Sequence, residues 1–369
     1  MTPAVEWLRP NLWAWLSLSL AVAVADADDL AHLRYLGAAM EHHAARPTNF
    51  SARVEQRTHN PLLDLEALAR RGESVSGAIE KDGDRVMVTN TARYFRQGEL
   101  LRIIHDEAPP PVPKNLYVQR REVLSDGRTA YGLTVYRERN PGETEFRWRY
   151  DGSIHPANAL LPNGIWHAGG SWTDPRLEGY CAVYLKPMVP LFRLLLQQTA
   201  ELRYAGVETD PKLGIPLEHV VYRRPSVTHH WWLDPAHGMM IRRAQMVSGE
   251  GANAVIDCES VVEEVREIGG GYLPRLTRIT ANVYRTVASP PAPLPYAVGG
   301  VMVETVTVED LVSGGPPMPE FFTPWWPQET RIEDSIKHEQ RKVEYLSPAE
   351  WQAVSKLRRA EAAAAGVTP

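Results

Sequence analysis

The chain has 369 residues, with 40 basic against 45 acidic side chains and a formal charge of −5. That balance excludes a nucleic-acid binder held by bulk positive charge. Hydrophobic residues at 44% and charged residues at 23% exclude a disordered chain and a polytopic membrane protein, and 30 clustered prolines favour many short elements over long helices.

At the front, Arg9 precedes an apolar or small-residue run from Leu12 to Val24, which ends in Ala23-Val24-Ala25 and is closed by Asp26, Asp28 and Asp29. This is the pattern of a cleavable export signal. The run is shorter than the roughly 20 apolar residues that a transmembrane helix needs, so the reading is a signal peptide over residues 1–25 and a periplasmic or secreted mature chain without a membrane span. No cysteine stands directly after the cleavage site, which argues against lipid anchoring. Cys181 and Cys258 permit one disulfide or two buried thiols.

Asp28 to Ala45 reads as an amphipathic helix, with Leu30, Leu33, Leu36 and Met40 near helical spacing, and Pro47 ends it. From Asn49 the period changes to two: Ala52, Val54 and Gln56 alternate with Arg53, Glu55 and Arg57. Asp82-Gly83, Asp126-Gly127 and Asp151-Gly152 each follow a strand-like run and predict tight hairpins. The first joins Val75–Glu80 to Arg85–Asn90, and the second joins Leu116–Leu124 to Thr129–Arg137. Between Glu145 and Tyr150, alternation puts Phe146, Trp148 and Tyr150 on one face and Arg147 and Arg149 on the other.

Pro190 to Tyr204 reads as an inserted helix opened by proline, with Leu191, Leu194, Leu195 and Leu202 on one face. Further strands are predicted at Leu217–Arg224, Thr228–Leu233, Met239–Val247, Val255–Arg266, Leu276–Tyr284 and Val301–Glu309, with turns at Asp234–Gly238 and Gly269–Gly271. Ser347-Pro348-Ala349-Glu350 is a capping box that opens a C-terminal helix to about Ala363. The sum is one mainly β (α+β) domain over residues 26–346, a single curved antiparallel sheet, followed by a helix and frayed tail over residues 347–369.

Three of these patterns occur in a recognisable order. They are Trp231-Trp232-Leu233-Asp234-Pro235, then Gly270-Gly271-Tyr272-Leu273-Pro274, then Phe321-Phe322 with Pro327-Gln328-Glu329-Thr330-Arg331-Ile332-Glu333-Asp334 behind it. Across Thr228–Asp334 the chain resembles the lipoprotein-localisation factor superfamily (LolA/LolB-like), departing from it at Glu329, where that family carries glycine. The resemblance implies an open, eleven-strand-type antiparallel half-barrel whose helices plug the concave side, and an apolar cavity for acyl chains.

An acyl-chain site needs apolar wall and few charges. The candidate lining is aromatic: Phe146, Trp148 and Tyr150 on one strand, Trp231 and Leu233 on another, and Trp166 beside the glycine pair Gly169-Gly170. The same rings equally suit a filled core between sheet and helix. The expected partner is an apolar or acyl-chain ligand or a lipidated protein, with no nucleic acid, no cofactor and no catalytic constellation. Two rivals stay open. One is an envelope interaction or scaffold module with a filled core, presenting Phe321-Phe322-Thr323-Pro324-Trp325-Trp326-Pro327 to a partner. The other is a metal-assisted hydrolase built on His229, His230, Asp234 and His237, although adjacent strand residues such as His229 and His230 point to opposite faces. No Gly-x-Ser-x-Gly elbow or phosphate-binding loop is present.

Overall fold

The computed structural model describes residues 29–43, 46, 49–61, 63–70, 78–82, 85–106, 115–126, 128–140, 142–156, 191–197, 201–286, 296–314, 319–324, 326–343, 352 and 356. The signal segment, Trp166, Cys181 and most of the C-terminal helix lie outside them. Helix α1 covers residues 29–43. Strand β1 is Asn49–His59, and the short helix α2 is Leu65–Arg70. Six strands follow: β2 (Ala78–Asp82), β3 (Arg85–Gln97), β4 (Leu100–Asp106), β5 (Leu116–Ser125), β6 (Thr129–Glu138) and β7 (Arg147–Pro156). Helix α3 (Leu191–Gln197) leads to β8 (Leu202–Thr209), β9 (Pro216–Arg223), β10 (Val227–Asp234), β11 (Met240–Ser248), β12 (Val255–Ile268), β13 (Gly271–Thr286) and β14 (Tyr296–Ser313). Two short strands, β15 (Arg331–Asp334) and β16 (Glu339–Lys342), come last.

All sixteen strands belong to one open, curved sheet in the order β16-β15-β7-β6-β5-β4-β3-β1-β14-β13-β12-β11-β10-β9-β8, with β2 pairing β3. The sheet is two meanders, β3 to β7 and β8 to β14, spliced by β1, which pairs β3 on one side and β14 on the other. Every pairing is antiparallel except β15 on β7. Among the described residues sixteen strands replace the eleven that the resemblance implies.

The Asp126 turn forms as read: its carboxylate accepts from the amides of Arg128 and Thr129 at 2.8 and 2.6 Å, so β5 and β6 pair across it. Asp151-Gly152 does not turn. Both residues sit inside β7, and Gly152 lacks a side chain for a different reason: a Cβ there would meet the Trp326 ring at 2.6 Å. The glycine makes room for a ring, whereas a hairpin glycine supplies a backbone angle. The inserted helix is also shorter than its leucine spacing predicts, since Leu202 opens β8. Leu202 enters the same apolar cluster as Leu191 and Leu195, but from the sheet.

Cross-strand neighbours share a face, so the register sorts the whole sheet. Trp231 is linked through Ala244, Ser260, Ile279, Glu304 and Thr58 to Val88. Two rungs along β1, Val54 is linked through Ala92, His105, Arg121 and Thr134 to Asp151. This is the inner face, the one covered by α1 and α3. Leu33, Leu36 and Met40 of α1 and Leu191, Phe192 and Leu195 of α3 bury themselves against Trp231, Leu233, Val220, Met240 and Val262. Gly37 lets the helices touch, because a Cβ there would lie 3.0 Å from the Leu195 Cβ. A second cluster (Phe50, Val54, Tyr94, Ile103, Val306 and Val308 among others) continues the inner face across β1, β3, β4 and β14.

The outer face of β3 to β5 is closed by the segment that follows β14. Phe321 and Phe322 pack on Phe95, Ile104 and Leu124. Beneath them Arg102, 1% exposed, donates to the Phe321 carbonyl at 3.0 Å and to Glu122 at 2.7 Å.

Candidate functional site

The inner face under α1 and α3 is an apolar surface covered by helices and not by strands. Its floor is Trp231 and Leu233, 1% and 0% exposed, and its lid is two helices of modest length. The end of α1 is seated on the turn after β10. Gly238 has φ 66°, and a Cβ there would meet the His43 ring at 2.4 Å, so the turn and the helix fit only as Gly against His. Burial, with the neighbouring His42 and Arg46, holds the His43 imidazole below its ordinary pKa and therefore neutral.

The motif residues hold that turn in place. Asp234, 3% exposed, accepts from the Ala236 amide at 2.9 Å, from His237 at 2.7 Å and from Arg242 at 2.8 Å. Arg242 in turn donates to the Val262 carbonyl at 3.0 Å, tying β10 to β12. Tyr272, at the start of β13, stands edge-on to His237 at 5.2 Å and lies 6.3 Å from the His43 ring. The Asp-Pro end of β10 and the Gly-Tyr-Leu-Pro start of β13 thus meet as the seat of α1.

The structure brings Trp231 and Leu233 together and separates them from Phe146, Trp148 and Tyr150. Nine strands stand between β10 and β7 in the sheet order. The register also puts Trp148 and Tyr150 on the outer face, since Arg149 and Asp151 share the inner one. Trp148 is 51% exposed beneath the Arg137 guanidinium at 4.2 Å, and Phe146 packs edge-on against Tyr117 at 5.6 Å. These rings do not line one groove with Trp231.

The histidines also part company. His229 is buried on the inner face, stacked on Trp231 with ring centroids 5.6 Å apart. His230 lies on the outer face, where its Nδ1 is 3.0 Å from Nε2 of His219. His219 stacks on Trp232 at 4.6 Å, and Arg243 covers the same indole at 4.7 Å while donating to Glu259 and Asp210. His237 is held by Asp234. Among the described residues no group of three or more His, Cys, Asp or Glu side chains is arranged to hold a metal ion. Cys258 is buried in β12.

Sequence reading missed a polar patch on the same inner face. Glu304 of β14 accepts from the Thr58 hydroxyl at 3.2 Å and from Gln56. Gln56 pairs with Asn90 on one side and Val306 on the other, and Val306 pairs with Thr277. Burial pushes the Glu304 carboxyl above the ordinary carboxylate range, against the two hydrogen bonds that pull it down. The signal was available: Met302, Glu304, Val306 and Val308 alternate on one face, and a carboxylate interrupts an apolar row.

No family model and no curated protein matches the sequence. Among solved structures the chain is similar to a DUF1329 family protein from Desulfovibrio piger, with 10% sequence identity and a TM-score of 0.36 over 80% of this chain and 97% of that one.

Proposed function

We propose that the protein is an exported binding protein for an apolar ligand, an acyl chain or a lipidated partner, and that it acts without chemistry. The observation that carries this reading is the make-up of the inner face: an apolar wall built by Trp231, Leu233, Val220, Met240 and Val262 is covered by two separate helices, not by a second sheet. Burying that wall under α1 removes its surface from water at about 25 cal/mol per Å2, and an acyl chain taking the place of α1 would recover the same kind of gain. Trp231 and Leu233 are the members of the aromatic set that support it. The buried, tightly packed state of both residues favours a second reading, an envelope interaction module whose helices never leave.

Lipid extraction and native mass spectrometry of protein purified from its own envelope separate the two. Co-purifying acyl chains, lost when Leu233→Arg puts a charge on the wall, support the binding reading. Ligand-free protein that also fails to take up N-phenyl-1-naphthylamine overturns it in favour of the interaction module.

A further inference from the structure

Four buried carboxylates of this sheet, Glu122, Asp234, Asp210 and Glu259, have cationic partners. Glu122 faces Arg102 at 2.7 Å and Arg120 at 2.6 Å. Asp234 faces Arg242 at 2.8 Å, Asp210 faces Arg243 at 3.0 Å, and Glu259 faces Arg243 at 2.9 Å as well as Lys212. Even the exposed Glu309, on the outer face of the same strand as Glu304, is paired with Arg53. Glu304, half-buried on the inner face, has no such partner among the described residues. Its described partners are Thr58 and Gln56, both neutral, and no charged side chain among the described residues perturbs it.

The groups beside it are equally short of donors. Thr277, 4% exposed, has an Oγ1 with no hydrogen-bond partner among the described residues, and so has the Asn90 side-chain carbonyl. The register puts Thr277, Gln56 and Asn90 on one rung, with Glu304 and Thr58 on the next, all on the inner face. The result is an acceptor-rich patch, continuous with the apolar wall, because Thr277 is the direct cross-strand neighbour of Val262 in the cluster beneath the helices. An unpaired carboxylate taken out of water is costly, and a matching cation with further hydrogen bonds removes much of that cost.

We infer that this patch is a headgroup subsite for a cationic amphiphile, in which an ammonium bonds to Glu304 with Thr277 and Asn90 as further acceptors while the chain runs onto the apolar wall. The assignment rests on the binding reading above and specifies its ligand class. An anionic headgroup would meet the Glu304 carboxylate there, with only neutral hydroxyl and amide donors beside it among the described residues.

The test uses the protein lacking residues 1–25, loaded with N-phenyl-1-naphthylamine and titrated with dodecylamine, dodecanol and dodecanoate below their aggregation limits. The expected result is that dodecylamine displaces the probe at about tenfold lower concentration than dodecanoate. Glu304→Gln should bring the two to parity while leaving dodecanol unchanged. Thr58→Lys, which places an ammonium in cis directly opposite Glu304, should do the same. Glu309→Gln removes an equal charge from the outer face and should keep the preference. Equal affinities in the unaltered protein, or a preference that survives both Glu304→Gln and Thr58→Lys, overturns the subsite and leaves the groove standing. If none of the three displaces the probe, or the probe does not bind, the binding reading itself fails and the subsite with it.

Discussion

Acid should unfold this protein through two inner-face histidines. His105 and His229 are 4% and 2% exposed, and burial, reinforced by Arg121 beside the first and Arg224 beside the second, pushes each imidazole down to about 4. In the unfolded chain both titrate near 6.5. A group with a depressed folded pKa binds its proton more weakly when folded, so stability is full above pH 6.5 and falls as the pH drops toward 4, flattening below that. Between pH 7 and pH 5 each site removes roughly 2 kcal/mol, and the pair roughly 4, a large share of the 5–15 kcal/mol that holds a typical domain together. Two carboxylates are held low against their burial, Asp210 by the Leu213 amide, Arg243 and the Lys212 amide, and Glu259 by Lys212, Gln245 and Arg243; they lose their contribution only as the pH falls below about 4, so the two effects occupy separate windows. Urea unfolding followed by tryptophan fluorescence at pH 7, 6 and 5 measures the slope. In His105→Leu/His229→Phe, the phenyl ring keeping the stack on Trp231, the pH 7-to-5 loss should shrink to under about 1 kcal/mol. A wild-type midpoint that does not move, or a double variant as acid-sensitive as the parent, would refute the reasoning.

Gly152→Ala should cost about 1–3 kcal/mol, because the new methyl drives into the Trp326 ring and the ring must leave its place beside Ile332. A changed near-ultraviolet tryptophan signal with unchanged far-ultraviolet strand content would show it, and an unaltered spectrum would count against the close approach. Arg102→Met should cost about 3 kcal/mol, since Glu122 keeps only Arg120 and the Phe321 carbonyl loses its donor. Adding Glu122→Gln should return part of that loss in a double-mutant cycle, and strict additivity would show that the pair is not coupled.

What the sequence made legible was local. Asp126-Gly127 and Asp151-Gly152 are the same dipeptide after the same kind of strand, yet only the first turns, because the role of Gly152 is set by a tryptophan 174 positions downstream that no local window contains. The alternation of Trp148 and Tyr150 was read correctly as one strand face, although Phe146 lies just before β7. Which side of the sheet that face joins depends on ten successive pairings, and there the link to Trp231 failed. Leucine spacing after Pro190 overran the helix, since Leu202 satisfies the same core from either period. The Asp234 motif was legible as turn chemistry, whereas Gly271–Pro274 opens β13 just after the turn at Gly269 and Gly270; that both converge on the end of α1 required the fold. Glu304 went unread because a single polar residue in an apolar row resembles noise until Gln56 and Thr58, some 250 positions earlier, are seen beside it.

The position of β1 also governs the order of assembly. It is the first strand made, yet one of its two long seams is with β14, and the Arg53–Glu309 contact that crosses this seam spans 256 residues. Until the last fifth of the chain emerges, one edge of this early ribbon is open to any other extended segment. Closure over such a distance is slow, and a truncated product that stops short of residue 296 would display an edge ready to recruit its own copies.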